Sequence, residues 1–508
     1  MASRRQVLSW LGRGVGVAAG VGITASVDSA MATTGAGARV DPELDRGGQV
    51  TVLANGTVLD GTGAAPWPDT TVVLAGDRIV AVGRYPLRDL PDGVTVVDVH
   101  GKYVLPGLWD THTHGGWLLD TFAPLHLANG VTGVREMVGP PGMEEVRELL
   151  NSGQVPGPRM VLASELVDGP HSAWGGGDTG AGVIEAGTPT EGRAAVQRAH
   201  EMGADFVKVY SYLAPDVYDA IATEAARLDI WFAGHIPAQV TAQDAIRSGQ
   251  HTLEHQYGIY LSTATDREDR YRRLREVFAD PDRAGEWAET MGQLEMDSVR
   301  RHDRRQAEEL FALMRRHGTW YSPTLGVERT ARLPGEDLLA DSRLLDLLER
   351  YIQPTMREQW LANARARLNR PPEQNARMRE YVAAQARLTG AAAGSGVPII
   401  AGTDCWIPFV FPGFSMHDEL ALLVQAGLTP MRALQAATRD AARCVGWGEQ
   451  SGTVTPGKLA DLLILRQNPL EDIRHTTTID AVVSRGRYIS SREREAMLAE
   501  AETAAQQD

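Results

Sequence analysis

The sequence predicts an α/β protein: a (β/α)8 barrel of the TIM type joined to a small β-sandwich domain built from both chain ends. Three observations point there. Short β-branched runs lie near both ends, apolar strand-like runs alternate with helical patterns between them, and polar or ionisable residues close several of the central runs. A chain of 508 residues with 43% hydrophobic content and 53 glycines can bury one barrel-sized core and a smaller companion.

Residues 1–32 read as an address. Ser3-Arg4-Arg5-Gln6-Val7-Leu8 precedes a weakly apolar Gly/Ala/Val stretch from Gly14 to Ser26, and Ala30-Met31-Ala32 supplies an A-x-A cleavage signal. The pattern is similar to a twin-arginine export signal and implies secretion across the cytoplasmic membrane. The stretch is too short and too rich in glycine to span a bilayer, so no stable membrane insertion is expected after cleavage.

Val50–Leu53, Thr71–Leu74, Arg78–Val82 and Val94–Asp98, separated by Gly, Asp and Asn turn signals, predict a small antiparallel sheet. Ala460–Leu465 and Ile479–Ser484, followed by Gly486, have the same character. Neither end has enough strands to bury a face, so 47–104 and 450–490 are expected to form one composite domain.

Residues 105–449 carry the barrel pattern. The candidate strands are Tyr103–Asp110, Gly133–Glu136, Met160–Glu165, Phe206–Tyr210, Trp231–His235, Thr252–His255, Trp320–Leu325 and Pro398–Thr403. Eight runs suit a closed barrel, which builds its active site at the C-terminal strand ends. An open doubly wound sheet is the alternative, disfavoured because no Gly-rich phosphate loop follows the first strand. Two long excursions, about 262–318 and 327–395, are rich in Arg and Glu. Stretches such as Arg267–Val277 and Gln306–Arg316 read as solvated helices, and the sharper alternatives are a lid over the site or an oligomer contact.

A formal charge of -15, from 65 acidic and 50 basic residues, opposes binding to nucleic acid or to an anionic membrane. A small-molecule substrate is the expected partner. Cys405 and Cys444 are too few for a disulfide framework or a thiolate metal cluster, which leaves His, Asp, Glu and Lys as metal ligands.

The strand ends supply them. In Leu105-Pro-Gly-Leu-Trp-Asp-Thr-His-Thr-His114 the two imidazoles occupy alternate positions, so an extended strand aims His112 and His114 at one spot. Lys208, His235, His255 and Asp404 each follow or end another apolar run. An unpaired ammonium on an otherwise buried strand is costly, so Lys208 calls for a partner.

These residues, with Gly130-Val-Thr-Gly-Val-Arg135, the Ala-Gly-Leu-Thr-Pro430 step and Gly452–Leu462, resemble the amidohydrolase superfamily of metal-dependent hydrolases. Within it the chain is most similar to the imidazolonepropionase-like and Xaa-Pro dipeptidase-like group, over nearly all of the mature length. The resemblance implies two divalent metal ions, with zinc suited to the imidazole and carboxylate donors and manganese or iron as alternatives. His112, His114 and Asp404 would hold one ion, His235 and His255 the other, and an N6-carboxylated Lys208 would bridge them. It further implies hydrolysis of an amide-type C–N bond by a metal-bridged hydroxide, with Asp404 as general base and then general acid. The expected substrates are a dipeptide, an N-acyl amino acid or a cyclic amide. Lactone or carbamate hydrolysis would use the same groups, as would a mononuclear enzyme with unmodified Lys208. Non-catalytic scaffolding relatives are marked by lost ligands, and none is missing here.

His171 and Tyr210 are candidates to orient the substrate. Tyr257, with Trp320, Tyr321, Trp406, Phe409 and Phe411, is a candidate lining of an apolar pocket. Arg135 suits either a substrate carboxylate or a buried structural ion pair. His417 is expected to cap or support, and Cys405 to point away from the metals.

Overall fold

The computed structural model describes residues 49–507 other than 86, 89, 173 and 175–181; the export signal expected at 1–32 lies outside the described residues. Five strands come first: β1 (Val50–Val58), β2 (Trp67–Ala75), β3 (Arg78–Gly83), β4 (Val94–Asp98) and β5 (Tyr103–Pro106). The barrel strands follow: β6 (Leu108–Thr113), β7 (Val131–Glu136), β8 (Arg159–Asp168), β9 (Val183–Glu185), β10 (Phe206–Val209), β11 (Phe232–Gly234), β12 (Thr252–Glu254) and β13 (Trp320–Ser322). The chain returns through β14 (Leu462–Leu465), β15 (Ile479–Ser484) and β16 (Arg487–Ile489).

The two chain ends form one sheet, in the order β16-β15-β14-β5-β1-β2-β3 with β4 beside β1. Its two halves meet where β14 runs antiparallel to β5, Leu462 opposite Pro106 and Leu465 opposite Tyr103. The sheet also curls over. Ile79 N–H donates to the Lys458 carbonyl at 2.8 Å and Ala460 N–H to that of Asp77 at 2.8 Å. Leu53, Val72, Leu74, Leu462, Ile464 and Val483 thereby share one buried cluster although they come from opposite halves. The sandwich predicted from the sequence is thus a single sheet rolled around its own core.

Seven parallel strands make the barrel wall, in the order β13-β12-β11-β10-β8-β7-β6, and β9 extends from β8. The eighth expected run closes the wall through single bonds instead of a ladder. Ile400 N–H donates to the Tyr321 carbonyl on one side, while Thr111 N–H reaches Ala401 and Asp404 N–H reaches His112 on the other. Two features break its regularity: Gly402 presses so closely on β6 that a Cβ there would lie 2.7 Å from that of His112, and Asp404 adopts a left-handed φ of 62°. The first expected strand, Tyr103–Asp110, also differs. It divides at Gly107, with β5 in the small sheet and β6 in the barrel. A Cβ at Gly107 would meet the Thr132 hydroxyl at 2.1 Å, so only glycine lets the chain cross between the two bodies.

The helical excursions are real but not fully solvated. Arg267–Phe278 buries Tyr271, Leu274, Val277 and Phe278 against Trp287 and Leu294 of the helix Trp287–Ser298. Arg304–His317 keeps Arg304–Glu308 and Arg305–Glu309 pairs on its outer face while Leu310, Phe311 and Met314 are buried. Helical periodicity beneath the charge decided this, which the charged residues masked. Among the described residues no helix is long and apolar enough to cross a membrane.

Asp461 fastens the small sheet to the barrel. Its carboxylate accepts from Arg159 Nε on β8 at 2.7 Å and from Arg485 N–H at 2.7 Å, and its carbonyl accepts from Gly107 N–H. Both members of the Asp461–Arg159 pair are nearly excluded from solvent. Exchanging Asp461 for Ala strands the Arg159 charge, and we expect about 3–5 kcal/mol of lost stability in chemical unfolding. An unfolding midpoint matching the parent protein's would show that the junction does not depend on this pair.

Candidate metal centre

His112 and His114 leave the same face of β6, as alternate positions on a strand require, with ring centroids 5.4 Å apart. His255 lies 4.8 Å from His112 and 4.8 Å from His235, so the four imidazoles form a continuous arc. Asp404 stands at its centre. Its Oδ1 is 3.0 Å from His114 Nε2 and 3.3 Å from His112 Nε2, and its Oδ2 is 3.7 Å from His255 Nε2. His255, Thr324 and Asp404 all hold positive φ angles (60°, 46° and 62°), backbone strain gathered at one place.

Behind the arc, each of three rings is gripped at Nδ1. Glu254 Oε2 lies 2.9 Å from His112 Nδ1, Ser211 Oγ 2.9 Å from His235 Nδ1 and Thr324 Oγ1 2.6 Å from His255 Nδ1. Glu254 is itself held by Arg135 Nη2 at 2.6 Å, and both side chains have no solvent exposure. Arg135 spends its other donors on the Thr111 carbonyl and the Thr252 hydroxyl. Of the two roles open to Arg135 in the sequence, the structure shows the buried ion pair.

This arrangement fixes proton positions. Burial works against the Glu254 carboxylate, but Arg135 and Lys208 outweigh it and hold its pKa below the ordinary value. An ionised carboxylate only accepts, so His112 carries its proton on Nδ1 and turns a bare Nε2 lone pair toward Asp404. Burial also drives the His112 and His235 pKa values well below 6.5 and lowers that of His255, which keeps the rings neutral. At Asp404 burial again opposes ionisation, while the hydrogen bond from His114 Nε2 at 3.0 Å favours the carboxylate and lowers its pKa. Two acceptors, His112 Nε2 and Asp404 Oδ1, therefore face each other at 3.3 Å. A cation between them resolves that opposition, and ligating imidazoles backed by carboxylate or hydroxyl partners are the usual metal arrangement. The donor set fits the implied metals, and His112, His114 and Asp404 form a three-donor group by geometry alone.

Lys208 sits between Val207 and Val209 on β10, buried, with Nζ 5.9 Å from the Tyr210 ring centre. Burial lowers its pKa to about 8, against the opposing pull of Glu254 and Asp404. A useful share of it is free amine near neutrality, the form that condenses with carbon dioxide.

Of the substrate candidates, Tyr210 and Tyr257 reach this centre. The Tyr210 ring lies 4.0 Å from His235, and its hydroxyl accepts from Trp174 Nε1 at 2.9 Å. Tyr257 is 5.1 Å from His235 and 5.2 Å from His255. His171 occupies an exposed turn with its ring edge against Trp287. His417 bonds Thr476 and the Asn129 carbonyl, and Cys405 faces His126. Cys405, His126 and Asp110 also form a compact donor group. Its members are occupied, however: His126 Nδ1 bonds the Phe122 carbonyl, and Asp110 accepts from Thr403 and from His112 N–H.

Glu254, Ser211, Thr324 and Asp110 were missed by sequence reasoning. Asp110 and Glu254 had a signal, each being an acid inside an apolar run close to a candidate ligand. Ser211 and Thr324 had none, since a hydroxyl in a loop is unremarkable until a ring stands before it.

Residues 103–489 match the amidohydrolase family, and the chain belongs to it. It is 24% identical over 491 residues to the ochratoxinase of Aspergillus niger, an alignment covering 84% of this chain and 83% of that protein. Among solved structures it is similar to the bottromycin amidohydrolase, with a TM-score of 0.68 and 24% identity over 92% of this chain and 94% of that one. A Xaa-Pro dipeptidase with bound methionine in its active site superposes with a TM-score of 0.62 and 21% identity, over 87% of this chain and all of that one. The protein is thus a hydrolase of carbon–nitrogen bonds on a barrel with an attached β domain.

Two outcomes follow from the support behind the arc. Glu254→Gln should weaken metal binding about 10–100-fold in chelator competition, because the neutral amide no longer fixes the His112 tautomer; unaltered affinity would remove Glu254 from this role. In the metal-free protein at pH 6, below the ordinary histidine value of 6.5, lowered pKa values keep His112 and His235 neutral. Imidazole 15N shifts should then report a neutral ring with Nδ1–H at His112, and a doubly protonated ring there would contradict the assignment.

Proposed function

We propose that the protein is an exported, metal-dependent amidohydrolase that cleaves the amide-type C–N bond of a small molecule, a dipeptide, an N-acyl amino acid or a cyclic amide. The observation carrying this reading is the opposition of His112 Nε2 and Asp404 Oδ1 at 3.3 Å inside the arc of four imidazoles. His112, His114 and Asp404 would hold one divalent cation and His235 and His255 a second, with Lys208 as an N6-carboxylated bridge; zinc suits these donors. When bound, such a pair polarises the substrate carbonyl and makes water acidic enough to attack near neutrality.

The chain supplies the rest. Carboxylation turns Lys208 from a buried cation into an anion with two oxygen donors, so its own burial cost is offset by the cations beside it. Asp404, held ionised, takes the proton of the attacking water and passes it to the leaving nitrogen, which departs as a neutral amine. Tyr210 and Tyr257 flank His235 and orient the substrate over the exposed side of the arc. The export part of the reading rests on Arg4-Arg5 and Ala30-Met31-Ala32.

Purified protein should contain about two metal equivalents per chain by elemental analysis, whereas a value near one would favour a mononuclear site. Against a panel of dipeptides, N-acyl amino acids, lactams and lactones, the zinc-loaded protein should release amine from at least one amide. Asp404→Asn should lower that turnover about 100-fold or more while retaining part of the metal, as expected when proton transfer is lost. Turnover near the parent rate in this variant would dismiss Asp404 as the proton carrier.

A further inference from the structure

A cavity of about 310 Å³ lies beside Tyr257, at the His235 and His255 end of the candidate centre. Tyr257, packed on His235 and His255, forms its inner wall, and the outer wall comes from the helical excursions. The lining is mostly apolar, Met291 among it, with a few polar groups at defined points. This is the usual make-up of a small-ligand pocket, and the volume is at the lower end of the usual range.

Those polar groups differ in how far they are committed. Arg332 is engaged: it pairs with Glu328 at 2.8 Å and lies 4.8 Å over the Tyr381 ring. Arg370 donates to the Arg332 carbonyl at 3.1 Å, and among the described residues no carboxylate lies within 4.0 Å of it. Glu295, 5% exposed, leaves its Oε1 without a hydrogen-bond partner among the described residues. Burial pushes its pKa up to about 8, so near neutrality it is mostly uncharged and does not cancel the Arg370 charge. The cavity therefore combines apolar volume, one uncommitted cation and one open hydrogen-bonding oxygen.

We propose that this cavity is the side-chain subsite of the enzyme, taking the bulky apolar group of an N-acyl amino acid or dipeptide while Arg370 pairs with the substrate's free carboxylate. The assignment rests on the amidohydrolase reading above and narrows its substrate class. Amides bearing an apolar side chain and a free carboxylate are preferred, and cyclic amides without a carboxylate are disfavoured.

Gly292 gives a clean way to fill the space. It lies on the helix Trp287–Ser298 and lines the cavity, and a Cβ placed there meets nothing within 4 Å. Gly292→Phe grows into open volume and favours the helix, so the fold is retained. The probe is N-methylphosphonyl-L-phenylalanine, whose tetrahedral phosphorus replaces the scissile carbonyl, compared with its carboxamide counterpart in calorimetric titration of the zinc-loaded full chain. Gly292→Phe should weaken both probes about tenfold or more. Arg370→Ala should weaken the acid about tenfold and leave the carboxamide unchanged, as loss of one charge-assisted contact predicts. Equal binding by Gly292→Phe and the parent, equal weakening of both probes by Arg370→Ala, or no binding to the parent would each overturn the proposal. Release of phenylalanine from N-acetyl-L-phenylalanine is followed in parallel. The expected binding pattern without hydrolysis upholds the subsite and removes N-acyl amino acids from the proposed substrates, whereas hydrolysis unaffected by Gly292→Phe refutes the subsite alone.

Discussion

The ion pair between Arg135 and Glu254 is the constraint on which the centre depends. Both groups are sealed inside the barrel, where each alone would carry a desolvation cost of several kcal/mol. Together they neutralise each other, and their remaining hydrogen-bonding capacity goes to Thr111, Thr252 and His112. Three barrel strands, β6, β7 and β12, are thereby tied at the level of the first ligand. The pair does little for hydrophobic packing, but it holds a permanent negative charge behind a neutral imidazole, which leaves the other ring nitrogen free to ligate.

The same economy governs the geometry of Asp404. A regular eighth ladder would carry the chain past the centre, yet the backbone turns left-handed at Asp404 and keeps a few bonds and isolated bridges to β6 and β13 in place of a ladder. Gly402 permits this by letting the segment lie against His112 without a side chain between them. Irregular closure costs ladder bonds and brings a carboxylate inward between His112, His114 and His255. His255 and Thr324 hold the same uncommon backbone region nearby, so the strain is concentrated where ligands must converge from different strands.

Much of this was legible in the sequence because it follows short-range rules. The i, i+2 spacing of His112 and His114, the alternation of strand-like and helical runs, and the buried lysine on β10 each reflect local chemistry that one segment displays by itself. What escaped depended on distant partners. The division of Tyr103–Asp110 at Gly107 is dictated by Thr132 and Asp461, and the grip on each imidazole comes from residues on other strands or loops. The charged helices misled for a related reason: their apolar positions are sparse, and only the facing helix shows that Tyr271, Leu274 and Phe278 are an inner surface.

The seam between β5 and β14 carries a consequence for how the molecule is assembled. Tyr103–Pro106 must wait for Leu462–Leu465, and β6 must wait for the segment ending at Asp404, before either is paired on both sides. Such long closures make folding slow and leave strand edges open until synthesis is nearly finished. The first histidine pair begins five residues beyond Gly107 and so shares the fate of that seam. On the proposed reading, metal capture would be a late event in the life of the chain, coupled to the arrival of its C-terminal strands, and a ribosome-bound fragment ending before them would carry the candidate ligands without the finished centre.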